Sequence, residues 1–342
     1  MAFVVAAASP ACIGGGGPQP TPRDVLLVGD SIGFGIGCYV LGDRGTSDNP
    51  CPHRSFTAAN AYIGGCAISP GYIIQYNRVA DDHHSCWNYA TYFKQQVDQY
   101  RPKLVVLMTG GWEIVDRWRS LPTNAGCSAT NTSPCSPGAD RQWGGAGDDN
   151  PYYANAVANY LDALRVALDI LSSRGARVLI LTQPYLNPPE PASPDRIGGG
   201  TYWEPYPETP PPGYEQPNVN TPYASSRLKV DRFNGAIWRA HDPNLGIPAA
   251  QSPGVEIFDF WRELSPVING VPEYSDWQCD YPNNRLDPDV ACPDPPGGFN
   301  PERVLVRGPE KMHPLPAGYA IVSCYMLPIV HEMLGIAPPS PC

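Results

Sequence analysis

Short apolar runs that alternate with helical segments are the feature that most constrains the fold of this chain. Continuous apolar runs are typical of parallel strands, which are buried on both faces of a sheet. The clearest helical segment ends before Gly175 and repeats apolar residues at three- and four-residue spacing: Val157, Leu161, Leu164, Leu168 and Leu171. The predicted strands are 25–28, 55–63, 103–108, 177–182 and 255–260, and the predicted helices are 32–41, 88–100, 152–173, 225–241 and 317–334. This alternation predicts right-handed crossovers and a parallel sheet covered on both faces.

The carboxyl ends of the strands are where an open parallel sheet places its functional residues. Ser31, Gly65 and Gly110 each follow a predicted strand. A serine nucleophile needs a base within hydrogen-bond reach, and a third group that orients the base. Late in the chain, Glu310 and His313 lie three residues apart and are the candidates for orienter and base. The alternative is a structural histidine beside a surface glutamate.

Two blocks of this sequence resemble the SGNH hydrolases, also called GDSL esterases and lipases. Residues 29–35 match the first block of that family, GDS-x-G-x-G, at every fixed position. Residues 310–319 match its last block, D-x-x-H followed by P-x-x-x-G-Y, with Glu310 in place of the aspartate. The resemblance implies a flavodoxin-like three-layer α/β/α fold with about five parallel strands. It also implies that Ser31 attacks the ester, that His313 takes its proton and that Glu310 orients His313.

The same resemblance implies an oxyanion hole that departs from the family at one position. The family uses the backbone amides of the serine and of a second-block glycine, here Ser31 and Gly65, together with an asparagine from a G-x-N-D block. In this chain Trp112 stands in place of that asparagine and Glu113 in place of the aspartate. Either the indole N–H replaces the asparagine, or the hole uses two backbone amides only. The predicted substrate contacts are Asp30, Gly110, Trp112 and Glu113.

The 11 cysteines indicate an oxidising, extracytoplasmic compartment, and none forms a C-x-x-C pair that would favour zinc. The first residues resemble the end of a signal peptide. Small residues before Cys12 resemble a lipoprotein cleavage site, which would make Cys12 a lipid anchor, and an ordinary signal peptide cut nearby is the open alternative. The other ten cysteines suggest five sequential pairs, although a nested pairing of Cys38 with Cys66 stays open: Cys38–Cys51, Cys66–Cys86, Cys127–Cys135, Cys279–Cys292 and Cys324–Cys342.

The length of 342 residues fits one large domain with insertions. Residues 1–23 are predicted to be a signal-peptide remnant and Gly/Pro tether, and residues 24–342 a single domain with insertions at 113–150, 183–224 and 265–308. The net charge of −10 argues against nucleic acid and anionic membranes as partners. No apolar run is predicted to be long enough to span a bilayer.

No cofactor is predicted. Residues 81–84, Asp-Asp-His-His, could ligate a metal, but a solvated loop is favoured. The Asp- and Asn-rich residues 280–294 lack the spacing of an EF-hand, so their prolines are interpreted as plain turns rather than as a calcium site.

These patterns favour an exported serine esterase that acts on acyl or acetyl esters of extracellular glycans or lipids. One alternative is an O-acyltransferase of cell-envelope polysaccharide, because similar tryptophan substitutions occur in SGNH domains linked to polysaccharide O-acylation. Another is a catalytically silent glycan-binding protein in which Trp112 fills the site. Aromatic residues of 202–223, with Trp112, Trp118 and Trp143, either stack on sugar rings or anchor their own loops.

Overall fold

Five parallel strands form the central sheet in the computed structural model. The structure describes residues 21–42, 54–63, 67–75, 78–81, 88–114, 117–118, 141–142, 152–184, 222–240, 254–264, 267–268, 271–272, 277–279, 303–305 and 314–339. In chain order the strands of the central sheet are β1 Val25–Gly29, β2 Ala58–Tyr62, β3 Leu104–Met108, β4 Arg177–Leu181 and β5 Val255–Phe258.

The order of the strands across the sheet is β2-β1-β3-β4-β5, with every pairing parallel. This is the doubly wound, flavodoxin-like order, in which the direction of winding reverses between β1 and β3. Every residue of β1 and β3 is buried, as expected for a sheet that is covered on both faces. The predicted α/β fold with a parallel five-stranded sheet is therefore confirmed.

Helices cover the sheet in two groups. Right-handed crossovers put the connection from β1 to β2 on one face, and the later connections on the other. The helices are α1 Ser31–Gly35, α2 Tyr89–Tyr100, α3 Tyr152–Leu171, α4 Pro222–Arg239, α5 Phe260–Glu263 and α6 Pro316–Leu334. In agreement with this arrangement, α2 packs against α3, and α3 against α4, whereas α6 packs on the turn that follows α1.

Two details of the helices bear on the sequence predictions. The predicted helix 32–41 is α-helical only through Gly35, and Ile36–Val40 forms a π-helical turn. The predicted glycine stop after α3 is confirmed: Gly175 has a positive φ of 81°, and its N–H donates to the Ser172 carbonyl at 2.8 Å.

A second, antiparallel sheet of short strands was not predicted. Its order is Arg78–Asp81, Tyr72–Gln75, Arg117–Trp118 and Arg141–Gln142. The last two strands lie inside residues 113–150, which were predicted only as an insertion. Two small two-stranded antiparallel sheets also occur, one pairing Val267–Ile268 with Val271–Pro272 and the other pairing Trp277–Cys279 with Arg303–Leu305.

Helix α6 is the one helix of the described residues that is long and apolar enough to cross a bilayer, by length and composition only. The prediction that no apolar run reaches that length is wrong for α6. The finding is weak evidence for a membrane span, because core helices pass the same test. Here α6 buries Tyr319, Val322, Met326 and Val330 in the core.

Cys38, in the turn after α1, and Cys324, in α6, are both disulfide-bonded. The predicted pairs involve residues outside the described ranges, so the sequential scheme stays a prediction.

Candidate functional site

Ser31 is the first residue of α1 and lies directly beyond the carboxyl end of β1. Asp30 caps this helix, because its Oδ1 accepts the N–H of Ile32 at 3.0 Å. The N–H of Asp30 donates to the carbonyl of Met108, the last residue of β3, at 2.9 Å. The turn that carries Ser31 is thus fixed to the ends of two neighbouring strands, and Ser31 remains partly exposed.

The backbone conformation and close packing of Gly29 explain why this turn begins with a glycine. Its φ is +142°, a conformation that residues with a side chain rarely adopt. A Cβ at this position would also overlap the carbonyl oxygen of Met108. Only glycine lets β1 pass this close to β3 and turn into α1.

Tyr319 connects the last sequence block to the first. Its hydroxyl donates to the carbonyl of Ile32 at 2.9 Å, and its ring lies against Gly35, where a Cβ would overlap the ring. The ring also stacks on Tyr39, with centroids 5.6 Å apart and planes inclined by 17°. The Gly-Tyr pair that ends the last block therefore packs on the glycine that ends the first block.

Glu310 and His313 precede Tyr319 by nine and six residues. Both lie outside the described residues, so their roles as orienter and base stay predictions.

The segment after β3 contacts the Ser31 turn through Gly110. The N–H of Gly110 points to Asp30 Oδ2 at 3.4 Å, and its carbonyl accepts the N–H of Glu113 at 3.0 Å. Glu113 lies in the short 3-10 helix Gly111–Ile114. The predicted placement of Ser31 and Gly110 at one edge of the sheet agrees with the register, in which Gly29 lies opposite Met108.

Glu113 is buried, with 2% of its surface exposed. Its Oε1 accepts the N–H of Ile68, and its Oε2 accepts the N–H of Ser69 at 3.2 Å. The substrate contact predicted for this residue stays a prediction, but these bonds give its carboxylate a different partner, the backbone of the segment after β2.

Two tyrosines, the half-buried Tyr89 and the buried Tyr160, lie close enough to this carboxylate to feel its charge. Burial and the nearby charge of Glu113 raise the pKa of Tyr89 to about 12. The same two causes raise the pKa of Tyr160, against a smaller opposing effect of its hydrogen bond with Thr109. Both phenols are therefore neutral near pH 7, and neither adds a second negative charge beside Glu113.

Gly65 and the side chain of Trp112 lie outside the described part of the chain. The backbone of Trp112 belongs to the 3-10 helix that follows β3, so it lies at the same edge of the sheet as Ser31. The roles of Gly65 and Trp112 in an oxyanion hole stay predictions.

Gln183 is a buried residue at this edge that sequence reasoning missed. It follows β4, and its side-chain Oε1 occupies the space that a Cβ on Gly110 would need. Asn234 of α4 fixes its backbone, accepting the Gln183 N–H at 2.8 Å and donating to the Gln183 carbonyl at 2.9 Å. Within the described residues its Oε1 has no hydrogen-bond partner. A Cβ at position 110 would therefore displace the side-chain amide of Gln183.

An exposed aromatic pair was also missed. Phe34 and Tyr62 are 52% and 39% exposed, and their ring centroids are 5.0 Å apart with planes inclined by 58°. Tyr62 lies opposite Gly29 in the β1–β2 register. The pair therefore borders the turn that carries Ser31. The sequence offered one indication of this pair, which is that Phe34 is an aromatic residue at the second variable position of the GDS-x-G-x-G block.

Among the described residues, no group of three or more His, Cys, Asp or Glu residues could hold a metal ion. Asp81 ends a strand of the second sheet. The other residues of the 81–84 group and all of 280–294 lie outside the described residues.

No protein-family model and no curated protein matches this chain. Similar solved structures include a GDSL-like lipase from Bacteroides thetaiotaomicron, with 10% identity, a TM-score of 0.40, and coverage of 90% of this chain and 87% of the other. Axe2, an acetylxylan esterase from Geobacillus stearothermophilus, has 11% identity, a TM-score of 0.38, and coverage of 94% and 99%. The fold of this chain is defined by the order and the parallel pairing of its own five strands.

Proposed function

We propose that this chain is a serine esterase of the SGNH (GDSL) type that uses Ser31 as its nucleophile. One observation carries the proposal: the two sequence blocks that resemble this family meet at α1, where Tyr319 donates to Ile32 and packs against Gly35. The bonded residues are 287 positions apart in the chain. A coincidental Gly-Asp-Ser turn would have no reason to meet the His-Pro…Gly-Tyr block.

In the proposed mechanism, the hydroxyl oxygen of Ser31 attacks the ester carbonyl while His313 takes the hydroxyl proton. The backbone amides of Ser31 and Gly65 stabilise the resulting oxyanion, with Trp112 as a candidate third donor. Collapse of this intermediate expels the alcohol, which takes the proton from His313. Water then attacks the acyl-enzyme by the same route and releases the acid. Glu310 accepts a hydrogen bond from His313 and holds its tautomer.

The proposed substrates are acyl or acetyl esters on extracellular glycans or lipids. The exposed rings of Phe34 and Tyr62 support a substrate with an apolar face beside the ester, such as a sugar ring. We also propose an extracytoplasmic location, with a lipid anchor at Cys12 as one form of it. The cysteine content and the apolar first residues support this location.

The test is reaction with a fluorophosphonate probe and hydrolysis of p-nitrophenyl esters. We expect Ser31→Ala to lose both. Ser173→Ala is the matched control, because Ser173 lies in the turn after α3 and the substitution removes the hydrogen bond from its hydroxyl to the Ile170 carbonyl. Turnover in Ser31→Ala equal to that of the unmodified protein would refute the proposal.

The replacement of the family asparagine by Trp112 favours a second candidate, an O-acyltransferase, and a third, a silent glycan-binding protein. Product analysis with an added sugar acceptor separates the first two, because a transferase forms a new sugar ester while a hydrolase forms free acid. A binder would retain glycan and show no probe labelling in the unmodified protein.

A further inference from the structure

We propose that Glu113 is a positioning residue for ester hydrolysis at Ser31. Its buried carboxylate holds the segment after β2 against the segment after β3, and these two segments flank the Ser31 turn. This inference rests on the proposed function.

Direct contacts establish the first link. One carboxylate oxygen of Glu113 accepts the N–H of Ile68, and the other accepts the N–H of Ser69 at 3.2 Å. Hydrogen bonds from backbone amides to a charged carboxylate are about twice as strong as those between neutral groups. Because Glu113 is 2% exposed, water does not compete well for these amides. One side chain therefore fixes two consecutive residues of the neighbouring segment.

The second link joins Glu113 to the nucleophile. The Glu113 N–H donates to the Gly110 carbonyl at 3.0 Å, and the Gly110 N–H points to Asp30 Oδ2 at 3.4 Å. The other oxygen of Asp30 accepts the N–H of Ile32 at 3.0 Å. Two buried carboxylates thus connect the segments after β1, β2 and β3 in one series.

The chemistry of the side chain matters as much as its size. A carboxylate has two acceptor oxygens, whereas a glutamine has one acceptor and an NH₂ group. In Glu113→Gln, the NH₂ group would face one of the two backbone N–H groups, and that bond would be lost. The variant therefore weakens the attachment of Ile68 and Ser69 to residue 113 while it keeps the volume of the side chain.

The consequence for catalysis follows from position. Ile68 and Ser69 come three and four residues after Gly65, the donor that the family resemblance assigns to the oxyanion hole. Oxyanion donors act mainly in the transition state and need accurate placement. A displacement of about 1 Å in a catalytic group can cost on the order of 100-fold in rate. Loss of the Glu113 bonds should therefore lower kcat rather than raise KM.

A similar carboxylate at the opposite end of the sheet provides a control. Asp24 precedes β1, and its Oδ2 accepts the N–H of Thr57 at 2.9 Å and the hydroxyl of Thr57 at 3.0 Å. Its Oδ1 accepts from Lys103 Nζ at 2.9 Å. Asp24 thus ties the segments before β1, β2 and β3 as Glu113 ties those after β2 and β3, but at the edge away from Ser31.

The experiment compares Glu113→Gln, Glu113→Asp and Asp24→Asn by ester hydrolysis, by the rate of fluorophosphonate labelling, and by thermal unfolding. We expect Glu113→Gln to lower kcat and the labelling rate on the order of 100-fold, with KM nearly unchanged. Glu113→Asp keeps the charge but is shorter, so kcat should fall by about tenfold. Asp24→Asn should lower only the unfolding temperature.

An unchanged kcat in folded Glu113→Gln, or a change confined to KM, would overturn the inference. If Glu113→Gln does not fold, an unchanged kcat in Glu113→Asp would overturn it. Failure of the unmodified protein to react with the probe would instead refute the proposed function, so the two failures are distinguishable.

Discussion

The hydroxyl of Tyr319 donates a hydrogen bond to the carbonyl of Ile32 at 2.9 Å, which ties the last helix to the helix that begins at Ser31. Tyr319 is 3% exposed, so this bond is shielded from water. The residue immediately after the predicted nucleophile is thus held by a side chain from the other end of the sequence.

Tyr319→Phe should remove this bond while it keeps the packing of the ring on Gly35. We expect the free energy of unfolding to fall by about 1 kcal/mol, the usual net value of such a bond. We also expect kcat to fall several-fold, because α1 is held less firmly. Tyr92→Phe is the control, since it removes a similar bond, at 3.1 Å, from a tyrosine hydroxyl of α2 to the Ala61 carbonyl of β2. Urea unfolding and steady-state kinetics check both, and an unchanged kcat in Tyr319→Phe would show that the bond does not serve the site.

Two glycines in helices should respond in opposite directions to alanine. At Gly35 the added Cβ would overlap the Tyr319 ring, so Gly35→Ala should lower the free energy of unfolding by about 2 kcal/mol. At Gly235, in α4, no atom of the described residues outside the glycine's chain neighbours and the backbone of its own helix lies within 4 Å of the added Cβ. Gly235→Ala should therefore raise stability by about 1 kcal/mol through helix propensity. Chemical denaturation of both variants tests the pair, and a stable Gly35→Ala would contradict the close packing of α6.

The aromatic pair should affect substrate binding more than chemistry. Phe34→Ala removes an exposed ring beside the Ser31 turn, so KM for acetylated oligosaccharides should rise while kcat stays nearly the same. Turnover of p-nitrophenyl acetate, which has no sugar ring, should change little. Trp238→Ala provides the control, because Trp238 is a 47% exposed aromatic residue on α4. A loss of activity toward both substrates would argue for a structural role of Phe34.

Glu310→Gln tests the predicted orienter. If Glu310 holds the tautomer of His313 and stabilises its imidazolium, the substitution should lower kcat more than it changes KM, because that interaction strengthens in the transition state. Steady-state kinetics on a p-nitrophenyl ester measure both. A change in KM alone would indicate that another group orients the histidine.

Asp24 should contribute to stability in a pH-dependent way. Burial raises the pKa of Asp24, but the hydrogen bonds from Lys103 and Thr57 outweigh it and leave the pKa below its ordinary value of 3.8. A lowered pKa in the folded state stabilises the fold above 3.8, and this stabilisation is lost as the pH falls through the folded value. The difference in unfolding free energy between the unmodified protein and Asp24→Asn should thus shrink in acid. Denaturation at several pH values measures it, and a constant difference would contradict the assignment.

The central sheet could be predicted because its strands are short apolar runs separated by helical repeats. The predicted strand 103–108 contains β3, and 177–182 contains β4. The short strands of the second sheet escaped prediction because two to four residues carry no periodic signal. The predicted helix 32–41 failed after Gly35, where the N–H of Leu41 bonds to the carbonyl of Ile36, five residues back, as in a π-helix.

The candidate site was only partly predictable. Ser31 and Gly110 were placed correctly, because both follow strands that meet at one edge of the sheet. The substrate contact predicted for Glu113 stays a prediction, and the sequence could not show the hydrogen-bond partners that the structure gives to its carboxylate. Those partners are the backbone amides of Ile68 and Ser69. Because every residue except proline has a backbone N–H, the sequence does not show which of them a carboxylate will bind. Similarly, nothing in the sequence showed that Phe34 and Tyr62 would be neighbours.

The bond between Tyr319 and Ile32 has a consequence for synthesis. Ile32 is translated early, while Tyr319 leaves the ribosome 287 residues later. During that interval α1 lacks the ring that packs on Gly35. A product of premature termination or of proteolysis before residue 319 would carry the serine but not the helix that steadies it. On the proposed function, hydrolytic activity would therefore develop only after residue 319 has been synthesised and Tyr319 has packed on α1.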